Sequence, residues 1–178
     1  MPRTGRLDYP GALHHVLARG VARGKIFGDD RDRTRFLKDL ATLVAEAKGG
    51  CLAWVLMPNH VHLLLRTGER PLRWIMHRLL MWYAQGYNRR WRRSGHLFQN
   101  RYKAILIEDD PYLGELVRYI HLNPLRSGLV STLGQLAKYP WCGHGALVGI
   151  RSLPWQAVDE VLETFGGTRG VARERYLR

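Results

Sequence analysis

The chain has 178 residues, 46% hydrophobic and 24% charged, which suits one folded domain with at most a short extension and excludes a disordered or collagen-like protein. Its formal net charge of +13 and pI near 10.4 favour a polyanionic partner over an acidic or neutral one. The longest apolar stretches, 51–57 and 61–65, are too short to span a bilayer, and no apolar signal core opens the chain, so a cytoplasmic location is expected. Cys51 and Cys142 have neither the density of a disulfide scaffold nor the paired spacing of a zinc site.

A basic arm over 1–9 leads through Pro10-Gly11 into Leu13–Arg19, whose alternation reads as a strand. Asp29 and Asp30 are capping candidates for a helix to about residue 48. It would carry Phe36, Leu40, Leu43, Val44 and Ala47 on one face, with Gly49-Gly50 as its stop. Residues 51–57 read as a buried strand, and Pro58-Asn59 turns the chain into a second strand, His60–Arg66. From Pro71 a long helix buries Leu72, Ile75, Met76, Leu79, Tyr83 and Tyr87 and frays into the basic run 89–93 before Gly95. A strand candidate at 103–108 precedes Asp110-Pro111, a capping carboxylate followed by proline at the first helical position. That helix has a seam of Leu113, Leu116, Val117 and Ile120 and should end near Asn123, because Pro124 disfavours helical geometry in the residue before it. The order strand, helix, strand, strand, helix, strand, helix implies an α+β fold. The expected form is a split βαβ, ferredoxin-like sandwich with a mainly antiparallel sheet and helices on one face. Residues 1–130 read as the functional domain, and 131–178, with one weak helical stretch at 154–165, as a C-terminal appendage.

Between Arg70 and Lys103 there are nine Lys or Arg, seven aromatics and no Asp or Glu. Interleaved cations and rings suit single-stranded nucleic acid: cations follow the backbone, while exposed rings stack on bases for roughly 1–3 kcal/mol each. Arg73, Arg78, Arg89, Arg90, Arg92, Arg93, Arg101 and Lys103 are the candidate contacts. In Met57-Pro-Asn-His-Val-His-Leu-Leu-Leu65 the strand period turns Val61, Leu63 and Leu65 to the core and His60 and His62 together to the opposite face, where two imidazoles are candidate ligands for a divalent ion. On the 110–123 helix, Tyr119 and Asn123 share a face, with Glu115 one turn the other way, whereas His121 lies roughly 160° from Tyr119. A tyrosine beside a metal is a candidate nucleophile for a phosphodiester. Asn123 and Glu115 both remain candidates for a third ligand, the carboxylate being the better donor for a hard ion.

These segments resemble the single-tyrosine HUH transposases, in particular the REP-associated tyrosine transposases. The likeness runs through Pro10-Gly-Ala-Leu-His-His15, Arg19-Gly20, Met57-Pro-Asn-His-Val-His62, Gly95-His-Leu-Phe-Gln-Asn-Arg-Tyr102, Arg118-Tyr-Ile-His-Leu-Asn-Pro124, Arg126-Ser-Gly128 and Tyr139-Pro-Trp141, roughly residues 3 to 145. Ser127 and Trp141-Cys-Gly143 depart from the usual pattern. The resemblance implies that His60 and His62 bind Mg2+ or Mn2+ with Asn123 as an amide-type third ligand. It also implies that Tyr119 cuts single-stranded DNA at palindromic repeat hairpins, forming a 5′-phosphotyrosine and freeing a 3′-hydroxyl. A bacterial, nucleoid-associated transposase and endonuclease is expected, as monomer or homodimer, with no membrane partner. No nucleotide cofactor is expected, since Gly20-Val-Ala-Arg-Gly-Lys25 is one residue short of a phosphate-binding loop and is followed by Ile26. The alternatives are a non-catalytic single-stranded DNA or RNA binding protein and a metal hydrolase that uses water.

Overall fold

A computed structural model describes residues 8–108 and 112–178. Most of the basic arm and the Asp110-Pro111 helix start lie outside the described residues. The elements follow in the expected order: β1 (Leu13–Arg19), α1 (Asp30–Glu46), β2 (Gly50–Met57), β3 (His60–Arg66), α2 (Leu72–Arg90), β4 (Lys103–Ile107) and α3 (Leu113–His121). The strands form one sheet in the order β2-β3-β1-β4, every neighbouring pair antiparallel. α1 starts where the Asp29 carboxylate accepts from the backbone N–H groups of Arg31 and Asp32, satisfying donors that a helix N-terminus leaves open.

Two cores flank the sheet. On one face α1 and α2 pack Phe36, Leu40, Leu43, Leu72, Ile75, Leu79 and Tyr83 against Val16, Trp54, Val61, Leu63 and Leu65. A β-bulge between Cys51 and Ala53 shifts the register and turns both Leu52 and Ala53 toward the other face. The expectation of helices on one face describes α1 and α2 alone. Leu113, Leu116, Val117 and Ile120 of α3 pack on the opposite face with Val55 and Leu64. Residues 131–178, expected as an appendage, add Leu136, Cys142, Leu147, Val161, Leu162, Ala172 and Tyr176 to this second core. They are built from α5 (Leu133–Lys138), α6 (His144–Leu147), α7 (Val158–Glu163) and α8 (Arg169–Leu177). They also cover the outer edge of β2: Leu56 N–H donates to Trp141 O (2.9 Å), Gly143 N–H to Trp54 O (2.9 Å) and Ala157 N–H to Cys51 O (2.9 Å), which removes an edge open to pairing.

α3 ends at His121, close to the expected end near Asn123, yet the residue before Pro124 does not leave helical geometry. After a turn at Leu122 the chain continues as α4 (Asn123–Arg126), with Pro124 in its first turn. Proline has no N–H to offer the carbonyl four residues back, Ile120 O. The Asn123 carboxamide replaces it, Nδ2 donating to Ile120 O (3.1 Å) and Tyr119 O (2.9 Å).

Candidate active site

His60 opens β3 opposite Arg19 of β1 and Met57 of β2, and His62 lies opposite Leu17 and Val55. Their rings are 5.1 Å apart and nearly perpendicular. Each Nδ1 has a partner: His60 Nδ1 lies 2.7 Å from Asn59 Oδ1 and His62 Nδ1 lies 2.9 Å from His15 Nε2. Asn59 Oδ1 only accepts, so His60 carries its proton on Nδ1 and keeps a lone pair on Nε2. When His62 donates to His15, its Nε2 is likewise left with a lone pair. Burial lowers the pKa of His60, with the Arg19 charge adding to the effect, and burial alone lowers that of His15. Burial, then His15, His60 and Arg19, push His62 down to about 3. All three imidazoles are therefore neutral near pH 7, the form that ligates a metal.

Tyr119 projects from α3 toward this group. Its ring is 6.1 Å from that of His62 and 6.2 Å from that of His15, edge-on to both. It is 42% exposed, in contrast to the buried seam residues beside it, so a polymer can reach its hydroxyl. Asn123 is half-buried one turn on. Because Nδ2 must face the two carbonyls, Oδ1 is the atom left for a ligand. Glu115 is paired with Arg118, which also donates to the carbonyls of Tyr176 (2.9 Å) and Arg175 (2.6 Å). His121 is fully buried on another side of α3, with Nδ1 2.9 Å from the Tyr176 hydroxyl, which also meets His144 Nδ1 at 2.7 Å. Among the described residues no three His, Cys, Asp or Glu side chains are grouped to hold a metal. Two neutral imidazoles, with the carboxamide oxygen of Asn123 on the helix that carries Tyr119, are donor types that a divalent ion can accept.

The basic segment divides by structure. A groove of about 1120 Å3 between α2 and the 95–102 loop is lined by Arg70, Arg73, Trp74, Arg78, Phe98 and Arg101, among others. The Arg78 guanidinium lies 4.2 Å from the Trp74 ring centre. The loop joins the histidine end of the sheet, Gln99 N–H donating to Arg19 O (2.8 Å). Arg89, Arg92 and Arg93 are exposed at the end of α2, and Lys103 is exposed on β4. Arg90 differs: it is ion-paired to Asp29 and to the buried Asp32 and ties α2 to the start of α1. Sequence reasoning missed His15, Arg19 and Arg126 at the site. The period-two pattern of β1 places His15 and Arg19 on one face, and that signal was legible; the pairing of β1 beside β3 was not.

The architecture is a four-stranded antiparallel sheet with a histidine pair at its end and a tyrosine-bearing helix laid across it. The chain has the fold of a structure described as a REP-associated tyrosine transposase bound to a REP hairpin, with TM-score 0.68, 15% identity, and coverage of 88% of this chain and 92% of that one. Residues 10–123 match the family described as "Transposase IS200 like", and the chain belongs to that family of DNA transposases. A second structure, from Deinococcus radiodurans and provisionally described as a transposase, gives TM-score 0.45 at 15% identity over 67% of this chain and 95% of that one. No curated protein matches the chain. Among the described residues no helix is long and apolar enough to cross a membrane.

Proposed function

We propose that the protein is a metal-dependent endonuclease and strand transferase for single-stranded DNA, cutting at palindromic repeat hairpins through a covalent tyrosine intermediate. The observation that carries this reading is the convergence of His60 and His62 on β3 with Tyr119 on α3, within 5.1 and 6.1 Å between neighbouring rings. Tyr119 Oη attacks the scissile phosphorus, the bond from phosphorus to the 3′-oxygen breaks, the phenol proton leaves to solvent, and the 3′-oxygen takes up a proton. The DNA 5′-phosphate stays on the tyrosine, so the bond energy is conserved for rejoining and no nucleotide hydrolysis is required. His60 and His62 through Nε2, and Asn123 through Oδ1, would hold Mg2+ or Mn2+. Such an ion supplies charge stabilisation and orientation of a phosphoryl group. His15 sets the ring orientation and tautomer of His62. Arg73, Arg78 and Arg101 in the groove, with Arg89, Arg92, Arg93 and Lys103 around it, would carry the DNA backbone. The site residues all fall within 1–130, with 131–178 closing the second face of the sheet.

A hairpin substrate is the one to test first, because the fold is shared with a transposase solved on such a hairpin. Oligonucleotides labelled on either side of the cut should show the downstream label travelling with protein in denaturing gels and the upstream fragment released with a 3′-hydroxyl, only when Mg2+ or Mn2+ is present. Binding without cleavage under every metal condition would favour a non-catalytic single-strand binding protein. Cleavage without any protein-linked DNA would favour attack by water.

A further inference from the structure

Arg126 is the one residue of the Arg126-Ser-Gly128 motif whose side chain reaches the site, and the proposed reaction has so far given it no part. Its guanidinium carbon lies 5.0 Å from the centre of the Tyr119 ring. Seven residues separate the two, which places them within roughly 20° of each other around a helix and two turns apart. Helical side chains lean toward the N-terminus, so an arginine at that spacing reaches back over the tyrosine. The path between them is held firmly. Asn123 bridges Tyr119 O and Ile120 O, Arg126 N–H donates to Leu122 O (3.0 Å), and Pro124 is buried.

Several other arginines are engaged by acceptors. Arg118, next to Tyr119, is taken up by Glu115 and two backbone carbonyls; Arg90 by Asp29 and Asp32; Arg151 by Tyr139 O, Pro140 O and Cys142 O. Arg126 is exposed, and among the described residues no carboxylate or carbonyl accepts from its guanidinium. Its donors therefore stand open beside an exposed phenol.

We propose that Arg126 is a catalytic residue that grips the scissile phosphate, its guanidinium donating to the non-bridging oxygens while Tyr119 attacks. This rests on the reading of Tyr119 as nucleophile. The rigid fork of a guanidinium matches two phosphoryl oxygens, and its charge opposes the negative charge those oxygens carry as the bond to Tyr119 forms. Arg126 gives up no proton: the Tyr119 Oη–P bond forms, the P–O3′ bond breaks, and the guanidinium stays cationic throughout. The aromatic face of Tyr119 keeps the cation in place before DNA arrives.

The test uses the full chain with Mn2+ and a hairpin oligonucleotide whose cut position has been mapped on unmodified DNA. Two substrates are compared, one with the natural phosphate at the cut and one with a neutral methylphosphonate there. Single-turnover adduct formation is measured for wild type, Arg126→Ala and Arg126→Lys. On the natural phosphate Arg126→Ala should be slower by about 100-fold, the cost of removing one transition-state donor, with Arg126→Lys recovering part of the rate. On the methylphosphonate the same substitution should cost no more than a few-fold, because the charge that the guanidinium opposes is gone. An equal loss on both substrates, or no loss on either, overturns the assignment and leaves Arg126 as a support for the tyrosine ring. Tyr119→Phe separates the two readings. If it still forms an adduct, the nucleophile assignment fails and Arg126 falls with it; if it forms none while the Arg126→Ala penalty is the same on both substrates, only the Arg126 proposal fails.

Discussion

Asn123 holds the turn of helix that carries Tyr119 with one atom and, on the proposed reading, would offer a metal ligand with another, and substitution should pull these roles apart. Its Nδ2 donates to Ile120 O at 3.1 Å and Tyr119 O at 2.9 Å, and Ile120 O has no other donor at its usual position because residue 124 is proline. Asn123→Ala leaves that carbonyl with only the Leu122 N–H, shared with Arg118 O, beside a fully buried side chain, which should cost about 1–2 kcal/mol, or roughly 2–8 °C in Tm for a domain of this size. Asn123→Asp loses the same donor and sets a carboxylate against two carbonyls at a helix C-terminus, so the cost near pH 7 should reach about 2–3 kcal/mol. The metal requirement should move differently. Asn123→Ala should raise the Mg2+ concentration needed for half-maximal adduct formation, while Asn123→Asp, with a harder oxygen donor, should not. Thermal denaturation of both variants, alone and combined with Pro124→Ala, isolates the helix term. An alanine at 124 restores an N–H for Ile120 O, so Asn123→Ala should cost less in that background. Additive losses, or an Asn123→Asp protein as stable as wild type at pH 7, would refute the bridging role.

His15→Ala should weaken Mn2+ binding about 10–100-fold, read by electron paramagnetic resonance without DNA, because His62 loses the partner of its Nδ1; His15→Gln, which keeps an acceptor, should recover part of it. Charge reversal at Arg89, Arg92 and Arg93 should weaken hairpin binding and flatten its salt dependence without lowering Tm. Arg90→Glu should lower Tm instead, because the buried Asp32 loses its cation; filter binding and calorimetry distinguish the two outcomes. Burial holds His144 down at about 4, so the unfolded chain binds the proton first as pH falls. Stability tied to this residue is complete above about 6.5 and is lost toward 4, worth roughly 3 kcal/mol in all. His144→Phe should reduce that slope in urea titrations between pH 7 and 4.5; an unchanged slope would contradict the burial argument.

Much of the sheet was legible because short-range signals agreed with one another. Pro58-Asn59 between two apolar runs marked the β2–β3 turn, and the alternation of His60, His62 against Val61, Leu63, Leu65 fixed which side chains share a face. The Asp29 cap and the apolar faces of α1 and α2 were equally local. What stayed hidden depends on partners far along the chain. The pairing of Leu17 with His62, which lays His15 diagonally against His62, has no local signature. The same is true of residues 131–178: their apolar side chains are scattered, and only the exposed second face of the sheet turns them into a core. At Pro124 the local rule gave the end of α3 to within two residues, but Asn123, which the proline should hold out of helical geometry, is helical in α4, where its side chain supplies the donor that proline lacks. Arg126 was visible as part of a motif, yet its place over Tyr119 depends on that same helical continuation.

The most direct measurement of the central claim is to find where DNA becomes attached. Trypsin cuts after Arg118 and Arg126, so Tyr119 leaves as the peptide Tyr-Ile-His-Leu-Asn-Pro-Leu-Arg, residues 119–126. Wild-type protein incubated with a hairpin oligonucleotide and Mn2+, digested with nuclease and then trypsin, should carry a nucleotide on this peptide, with fragment ions placing the added mass on Tyr119. Attachment to a peptide containing Tyr112 or Tyr87, or cleavage that proceeds with residues 119–126 unmodified, would contradict the account.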